Sequence, residues 1–247
     1  MKKGVKWTWI TAGFIVLLGV AFLGSRIFEV KKDIDKMTPV ETKRIVDGVY
    51  AVRDSYVNLY LVRGETRYIA FDSGNKPETV GRELQNLNIR PSDIAAVFLT
   101  HADSDHAGGL PAFPDAEVYL PAGEEQMVDG RTARFFIFKN KLARKHVLIG
   151  DNETKAVDGV TVTAIATPGH TPGAACFLVN GQFLFTGDSM SLKSGRAGIF
   201  SQAINMDSEA QLESLKKLSK LEGVKTIFTA HHGYSDFFKE AFEDFME

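Results

Sequence analysis

A short segment of this chain places four potential metal ligands directly after an apolar run. The run from Ile94 to Thr100 has the composition of a buried β-strand, and the segment His101-Ala-Asp103-Ser-Asp105-His106-Ala-Gly-Gly follows it. A strand ending there would deliver imidazoles and carboxylates together at one edge of a sheet, and borderline to hard divalent cations bind that set of ligands. The segment therefore predicts a metal site and disfavours an ordinary polar turn.

Three further loops carry the same kinds of side chain, each after a β-like run. They are Thr167-Pro-Gly-His170-Thr-Pro-Gly, Phe185-Thr-Gly-Asp188-Ser and Phe228-Thr-Ala-His231-His232-Gly, and the four motifs together hold five of the six histidines. Taken in this order, they resemble the motifs of the metallo-β-lactamase superfamily, from about Ile45 to the C-terminus. The upstream segment Tyr68-Ile-Ala-Phe-Asp72-Ser-Gly74 also resembles a strand of that family that ends in Asp-Ser/Thr-Gly.

The resemblance implies a site for two divalent metal ions, with a small molecule as substrate. Adjacent side chains of an extended segment point in opposite directions, so one of His231 and His232 is expected to be a ligand, and the sequence leaves the choice open. One ion would bind His101, Asp103 and His170, the other would bind Asp105, His106 and that C-terminal histidine, and Asp188 would bridge them.

The chemistry implied by the resemblance is hydrolysis. Two cations would hold a water between them, lower its pKa toward neutrality and polarise a carbonyl or phosphoryl oxygen, so the nucleophile would be a metal-bound hydroxide. No serine or cysteine nucleophile is then required, and Asp105 is the candidate catalytic side chain. Cys176, the only cysteine, stands in an apolar run and is expected to be a buried small hydrophobe.

Position 103 departs from the family pattern, which usually has a second histidine there. A carboxylate makes the cluster less positive and favours harder ions. The resemblance leads us to expect two divalent ions, and zinc is the expected metal. Mn and Fe are the alternatives because of Asp103. The diiron flavoproteins of the superfamily resemble this chain in having a carboxylate at this position. Alternatively, Asp103 turns away and only one metal ion binds tightly.

Two segments are expected to shape the pocket. Residues 131–146 combine four consecutive apolar residues, Phe135-Phe-Ile-Phe138, with several cations, and residues 189–205 are expected to form a flexible loop. The candidate substrate contacts are Lys193, Arg196 and Tyr234. The guanidinium of Arg196 is suited to an anionic substrate group.

The N-terminus predicts a membrane anchor. The nineteen residues from Trp7 to Ser25 carry no charge and follow Lys2, Lys3 and Lys6. At about 1.5 Å per residue, such a helix just spans a hydrocarbon core of roughly 30 Å. A cleaved signal peptide is the alternative, but its apolar core is usually shorter and no Ala-x-Ala site follows. The basic end would stay in the cytoplasm and place the metal domain outside a bacterial cell membrane, whereas cleavage would secrete it.

Composition supports this division of the chain. The 29 basic and 31 acidic residues are nearly balanced, so no nucleic-acid partner is expected. We predict an anchor or signal peptide over residues 1–28, a charged linker over 29–43 and a metallo-β-lactamase-like domain over 44–247. The last segment is long enough for one domain with a substantial core.

Periodicity alone predicts a mixed α/β domain. Helices are expected at Pro77–Leu87 and Asp207–Leu221, and Phe238, Phe242 and Phe245 suggest the core face of a closing helix. The turn signals are Asp47-Gly48, Asp158-Gly159 and Asn180-Gly181. The β-like runs are Ile45–Val52, Val57–Val62, Arg67–Phe71, Ile94–Thr100, Glu117–Leu120, Val160–Ala166, Ala175–Val179, Gln182–Phe185 and Thr226–Ala230.

The resemblance adds the fold class, which is α+β. It implies an αββα sandwich of two mixed β-sheets with outer helices, preceded here by one transmembrane helix. The predicted function is that of a membrane-anchored metallo-hydrolase acting on an ester, thioester, lactone or related bond. The alternatives are a non-haem iron redox enzyme of the same fold and a non-catalytic metal-binding protein. A β-lactamase is disfavoured because position 103 is not histidine.

Overall fold

The computed structural model describes residues 24–25, 27–46, 48–134 and 139–246. The chain divides into two units, residues 1–37 and 38–247, and residues 27–34 of the first unit are helical. Most of the predicted anchor lies outside the described residues. Within them, no helix is both long enough and apolar enough to cross a membrane.

The described residues of the second unit form two large β-sheets. Strands β1 to β7 make the first sheet in sequential order, antiparallel from β1 to β4 and parallel from β4 to β7. They are β1 (Lys43–Val46), β2 (Val49–Asp54), β3 (Val57–Arg63), β4 (Tyr68–Phe71), β5 (Ile94–Phe98), β6 (Glu117–Pro121) and β7 (Val147–Ile149).

The second sheet has the strand order β15-β14-β11-β10-β9-β8, and β11 and β14 are its parallel pair. Its strands are β8 (Thr154–Val157), β9 (Val160–Ala166), β10 (Ala175–Val179), β11 (Phe183–Phe185), β14 (Thr226–Phe228) and β15 (Tyr234–Ser235). A separate hairpin pairs β12 (Ser191–Lys193) with β13 (Arg196–Gly198).

Helices cover the outer faces of both sheets. Helix α1 has proline in its first turn, which suits the fixed φ of that residue, and α4 is capped by the Asp207 carboxylate, which accepts from the Ala210 backbone N–H at 2.9 Å. The helices are α1 (Pro77–Asn86), α2 (Ser104–Ala107), α3 (Glu125–Val128), α4 (Ser208–Leu218) and α5 (Phe238–Ala241).

Three apolar layers result from this arrangement. The central layer lies between the sheets, and there the Phe71 ring stacks on Phe185 of the opposite sheet, with ring centroids 4.2 Å apart. Val80 and Leu84 of α1 pack on the outer face of the first sheet. Leu215 of α4 packs with the outer face of the second sheet. The layers follow the predicted αββα order, with two mixed sheets and outer helices.

Most predicted elements are present within one to four residues of their expected ends, and β9 and β10 have the predicted bounds. Turns occur at the predicted signals: Gly48 lies in a turn, and Asp158, Gly159, Asn180 and Gly181 all adopt positive φ, as a two-residue hairpin turn requires.

Three predictions of local structure were wrong. The run Ile45–Val52 is two strands, because a turn at Gly48 (φ 76°) reverses the chain. Residues 189–205 are not wholly a loop, since they contain the β12–β13 hairpin. The closing helix ends at Ala241 and a 3-10 turn over Glu243–Phe245 follows it, although Phe238 and Phe242 are buried as expected.

Phe71→Ala should destabilise the domain by about 3–5 kcal/mol, because it removes a ring that contacts both sheets and leaves a cavity between them. Urea denaturation measures the change. Phe237 is 67% exposed, and Phe237→Ala is the matched control, expected to change stability by less than about 0.5 kcal/mol. Equal destabilisation by both variants would contradict this account of the core.

Candidate metal centre

The ligand-bearing loops meet because two pairs of strands run parallel. In each pair, β4 with β5 and β11 with β14, the carboxyl ends lie side by side. Asp72 follows β4, the His101 segment follows β5, Asp188 follows β11 and the His231 loop follows β14. His170 comes from the connection between β9 and β10. Side chains that are far apart in sequence are thereby brought to one place.

A first group consists of His101, Asp103 and His170. Asp103 Oδ2 lies 3.5 Å from His101 Nε2 and 3.2 Å from His170 Nε2. Asp188 Oδ2 is 3.3 Å from His170 Nε2. One nitrogen or oxygen atom from each residue of the group lies within 4.8 Å of the others, so the three could hold one metal ion.

A second group consists of Asp105, His106 and His231. Asp105 Oδ2 is 3.8 Å from His106 Nε2 and 3.5 Å from His231 Nε2. Asp188 Oδ1 lies 3.4 Å from His106 Nε2 and 3.1 Å from His231 Nε2. The two oxygens of Asp188 therefore face different groups, which is the arrangement a bridging carboxylate would have.

All four histidines of the cluster are held through Nδ1, which directs each Nε2 toward the centre. Such outer hydrogen bonds fix the tautomer and the orientation of metal-binding imidazoles. Nδ1 of His101 lies 3.0 Å from the Thr100 hydroxyl, that of His106 lies 2.8 Å from Asp72 Oδ2, that of His170 lies 3.2 Å from Asn205 Oδ1, and that of His231 lies 2.8 Å from the Tyr56 carbonyl oxygen.

The cluster fits a metal ion because several of its polar atoms are buried and lack a hydrogen bond. These atoms are Nε2 of His101, His106 and His231 and Oδ1 of Asp188. A buried polar atom without a hydrogen bond costs about 1–3 kcal/mol. Each of these atoms can offer a lone pair to a cation, so a bound divalent ion would satisfy them together.

The electrostatics of the cluster also favour cations. Burial opposes the charged form of His106, but the carboxylates of Asp188, Asp72 and Asp105 raise its pKa well above the usual value. Despite the same effect of burial, Asp188 and Asp105 raise the pKa of His231. Burial favours neutral Asp188, yet the surrounding imidazoles hold its pKa well below the usual range. Protons and metal ions should therefore compete for these imidazoles.

Glu124 connects the first two ligand loops, and no sequence motif marks it. Its carboxylate is fully buried and accepts from the Ala102 backbone N–H at 3.0 Å and from the Thr171 hydroxyl at 2.6 Å. Each donor is the neighbour of a histidine of the cluster. Burial raises the pKa of Glu124. The residue holds the two loops in register without entering the cluster.

Arg134 and Asn140 come from the segment that was expected to shape the pocket. Both donate to Asp103: the Asn140 amide lies 2.8 Å from Oδ1, and the Arg134 guanidinium binds both carboxylate oxygens. Burial favours the neutral form of Asp103, but the nearby imidazoles of His101 and His170 and the Arg134 charge hold its pKa well below the usual range. Residues 135–138 lie outside the described residues.

Two aromatic side chains form the wall of the cluster. The Phe200 ring is buried, edge-on to His170 at 5.1 Å and 5.4 Å from His231 between centroids. The Tyr56 ring stacks on His231 at 5.7 Å. Burial and the nearby Asp105 carboxylate raise the pKa of Tyr56 to about 12, so its phenol stays protonated at neutral pH.

The remaining predicted site residues lie around the cluster. The His232 ring packs edge-on to Phe200 at 5.9 Å, so His231 and not His232 belongs to the group of potential ligands. Lys193 donates to the Phe200 carbonyl oxygen at 3.4 Å, Arg196 pairs with Glu243, and Tyr234 lies in β15 beside Phe228. Substrate contact by Lys193, Arg196 and Tyr234 stays a prediction.

Cys176 is a buried residue of β10, as predicted. Burial raises the pKa of its thiol to about 11, so the reactive thiolate is scarce at neutral pH. The side chain therefore packs as a small hydrophobe.

Comparison with known proteins establishes the family. A sequence model of the metallo-beta-lactamase superfamily matches residues 52–231, which include every residue of both groups. The chain belongs to the metallo-beta-lactamase superfamily.

The sequence is 31% identical over 150 residues to a probable metallo-hydrolase of Methanocaldococcus jannaschii, covering 61% of this chain and 63% of that protein. It is 30% identical over 190 residues to a hydroxyacylglutathione hydrolase of Salmonella dublin, covering 75% and 65%. The chain thus spans less than two thirds of either relative. The fold is similar to that of a Cronobacter sakazakii metallo-beta-lactamase with a HARLDQ motif, with a TM-score of 0.63, 25% identity and 81% of both chains covered.

Asp72→Asn should lower the affinity of the site for Zn²⁺ by about 10–100-fold, because the Asp72 carboxylate orients a ligand. Asp72 Oδ2 binds His106 Nδ1, and Thr100 donates its backbone N–H to Oδ1 and its hydroxyl to Oδ2. Competition with a chromophoric chelator measures the affinity. The control is Asp115→Asn, at an exposed position outside the cluster. Unchanged affinity in a folded Asp72→Asn protein would contradict the orienting role.

Proposed function

We propose that this protein is a metallo-hydrolase with two metal positions that cleaves an ester, thioester, lactone or related bond. The observation that carries the proposal is the pair of ligand groups on either side of Asp188, each with buried lone pairs that lack hydrogen bonds. Membership of the superfamily supports hydrolysis. The relative named hydroxyacylglutathione hydrolase supports an acyl group as the part of the substrate that is cleaved.

The proposed ligands follow the two groups. Divalent ions held there would supply an acidified water and polarise the carbonyl oxygen of a substrate. Zinc is the expected metal, with Mn or Fe as alternatives because Asp103 adds a hard carboxylate. The first position would use His101, Asp103 and His170, the second would use Asp105, His106 and His231, and Asp188 would contribute one oxygen to each.

The side chains around the cluster suggest where the substrate enters. The Asp103 and Asp105 side chains are 16% and 18% exposed, whereas the histidines of the cluster are 1% exposed or less. The open side is therefore the side of these two aspartates. Phe200 would exclude water beside His170 and His231, and Asp105, beside the opening, is placed to hold a proton as the bond is cleaved.

Metal analysis followed by a hydrolase panel tests the proposal. The full-length protein would be purified without added metal, its metal content measured, and turnover followed on ester, thioester and lactone substrates before and after chelation. We expect hydrolysis that disappears on chelation and returns with a divalent ion. Bound metal without turnover would favour a metal-binding protein, and bound iron with oxygen-dependent turnover would favour the redox alternative, for which the Asp103 carboxylate is the specific argument.

Asp188→Ala should reduce the metal content and abolish hydrolysis while the protein remains folded, because the variant removes the oxygens shared by both positions. Elemental analysis and turnover on the best substrate are the measurements, with Asp115→Ala as the control. Normal metal content and activity in folded Asp188→Ala would refute the bridging role.

The proposed location is the outer face of a bacterial cell membrane, on the basis of the apolar run Trp7 to Ser25 and the lysines before it. In intact spheroplasts, added protease should digest the metal domain, and the mature chain should keep its N-terminus. A mature chain that starts near Ser25 would instead indicate a signal peptide. An uncleaved chain that is protected from protease would place the domain inside.

A further inference from the structure

Arg134 is a buried cation within the first group, with 6% of its surface exposed. Its Nε donates to Asp103 Oδ1 at 3.2 Å, and its Nη2 donates to Asp103 Oδ2. The same Nη2 lies 2.6 Å from His170 Nε2, and Nη1 donates to the Ile204 carbonyl oxygen at 2.5 Å. The guanidinium therefore contacts the very atoms of Asp103 and His170 that a metal ion in this group would need.

The contact with His170 has a clear chemical meaning. His170 Nδ1 lies 3.2 Å from Asn205 Oδ1, which can only accept, so Nδ1 carries the proton and Nε2 presents its lone pair. Arginine has only donors, so Nε2 accepts from Arg134. Because an imidazole nitrogen has a single lone pair, His170 Nε2 cannot bind a metal ion while it accepts from Arg134.

We propose that Arg134 competes with the metal ion for the first group, so that the two metal positions differ in affinity and the position of Asp105, His106 and His231 fills first. This inference rests on the proposed function, since it concerns the same metal centre. No such cation contacts the second group within the described residues. There, His106 Nε2, His231 Nε2 and Asp188 Oδ1 lack hydrogen bonds.

The charges of the site support unequal filling. Arg134 and one divalent ion together carry three positive charges, against the three carboxylates that face the metal positions, those of Asp103, Asp105 and Asp188, and a fourth behind His106, that of Asp72. A second divalent ion would add two more positive charges to a buried site, which is costly without further compensation. The first position should therefore bind its ion only when Arg134 withdraws from Asp103 and His170.

Calorimetric titration of the metal-free, full-length protein with Zn²⁺ tests the proposal. The wild type should bind one ion tightly and a second at least about tenfold more weakly, a difference of about 1.4 kcal/mol. In Arg134→Gln the weaker position should gain about tenfold or more in affinity, so that the two approach each other. Arg131→Gln is the matched control, because it removes the same charge from a side chain that is 67% exposed and lies outside the cluster.

Two variants identify the positions. His170→Ala should lose the weak binding event and keep the tight one, whereas His231→Ala should lose the tight event. If His231→Ala does not fold, as judged by circular dichroism, Asp105→Asn replaces it. If Arg134→Gln does not fold, Arg134→Lys replaces it, because one ammonium group cannot contact Asp103 and His170 as the guanidinium does, and a smaller gain at the weak position is then expected.

The direction of the change decides the outcome. If Arg134 merely oriented Asp103 as a ligand, its loss would weaken the first position, by about 10–100-fold for outer partners of this kind. A weaker or unchanged first position in Arg134→Gln, or two equal affinities in the wild type, would overturn the proposal. The titration needs no substrate, so it tests metal binding separately from hydrolysis. If the expected binding is observed without hydrolysis, only the proposed function is refuted.

Discussion

The buried carboxylate of Asp188 is the constraint on which the site depends. Its side chain is 5% exposed, and an anion removed from water costs several kcal/mol unless positive charge surrounds it. Imidazoles approach both oxygens, His106 and His231 on one and His170 on the other. These imidazoles could supply the positive charge by binding protons at Nε2, but a protonated Nε2 cannot bind a metal ion. A divalent ion at each oxygen would satisfy the carboxylate and the imidazoles together, so Asp188 is the residue that most suits the cluster to metal ions.

The backbone before Asp188 explains how this anion reaches its place. Gly187 has φ 50°, and a Cβ atom built on it would lie 2.2 Å from the Thr100 hydroxyl oxygen. Only glycine allows the loop after β11 to approach the end of β5 so closely. Thr100 in turn binds Asp72 and lies 3.0 Å from His101 Nδ1. The Thr-Gly-Asp motif is thus a steric requirement as well as a source of a ligand.

The sequence was informative wherever ligands cluster after a strand. His101, His106, His170 and Asp188 stand in local motifs, and the strands that precede the His101 and Asp188 loops follow the hydrophobic pattern. The choice between His231 and His232 needed the structure, because it depends on which ring meets the Tyr56 carbonyl oxygen. Glu124, Arg134 and Asn205 could not have been predicted as site residues. Their contacts with the cluster and its loops span at least 22 residues of sequence and they carry no motif, so only the tertiary fold reveals their partners.

The departure at position 103 illustrates the same dependence on distant residues. Considered alone, aspartate in place of the family's histidine adds one negative charge to the cluster. Arg134 binds both oxygens of that carboxylate, so the pair has no net charge, as a neutral histidine would. The formal charge of the centre is therefore preserved, but the geometry is not, because a guanidinium has donors that also reach His170 Nε2. An exchange that is conservative in charge thus makes the two halves of the centre chemically unequal.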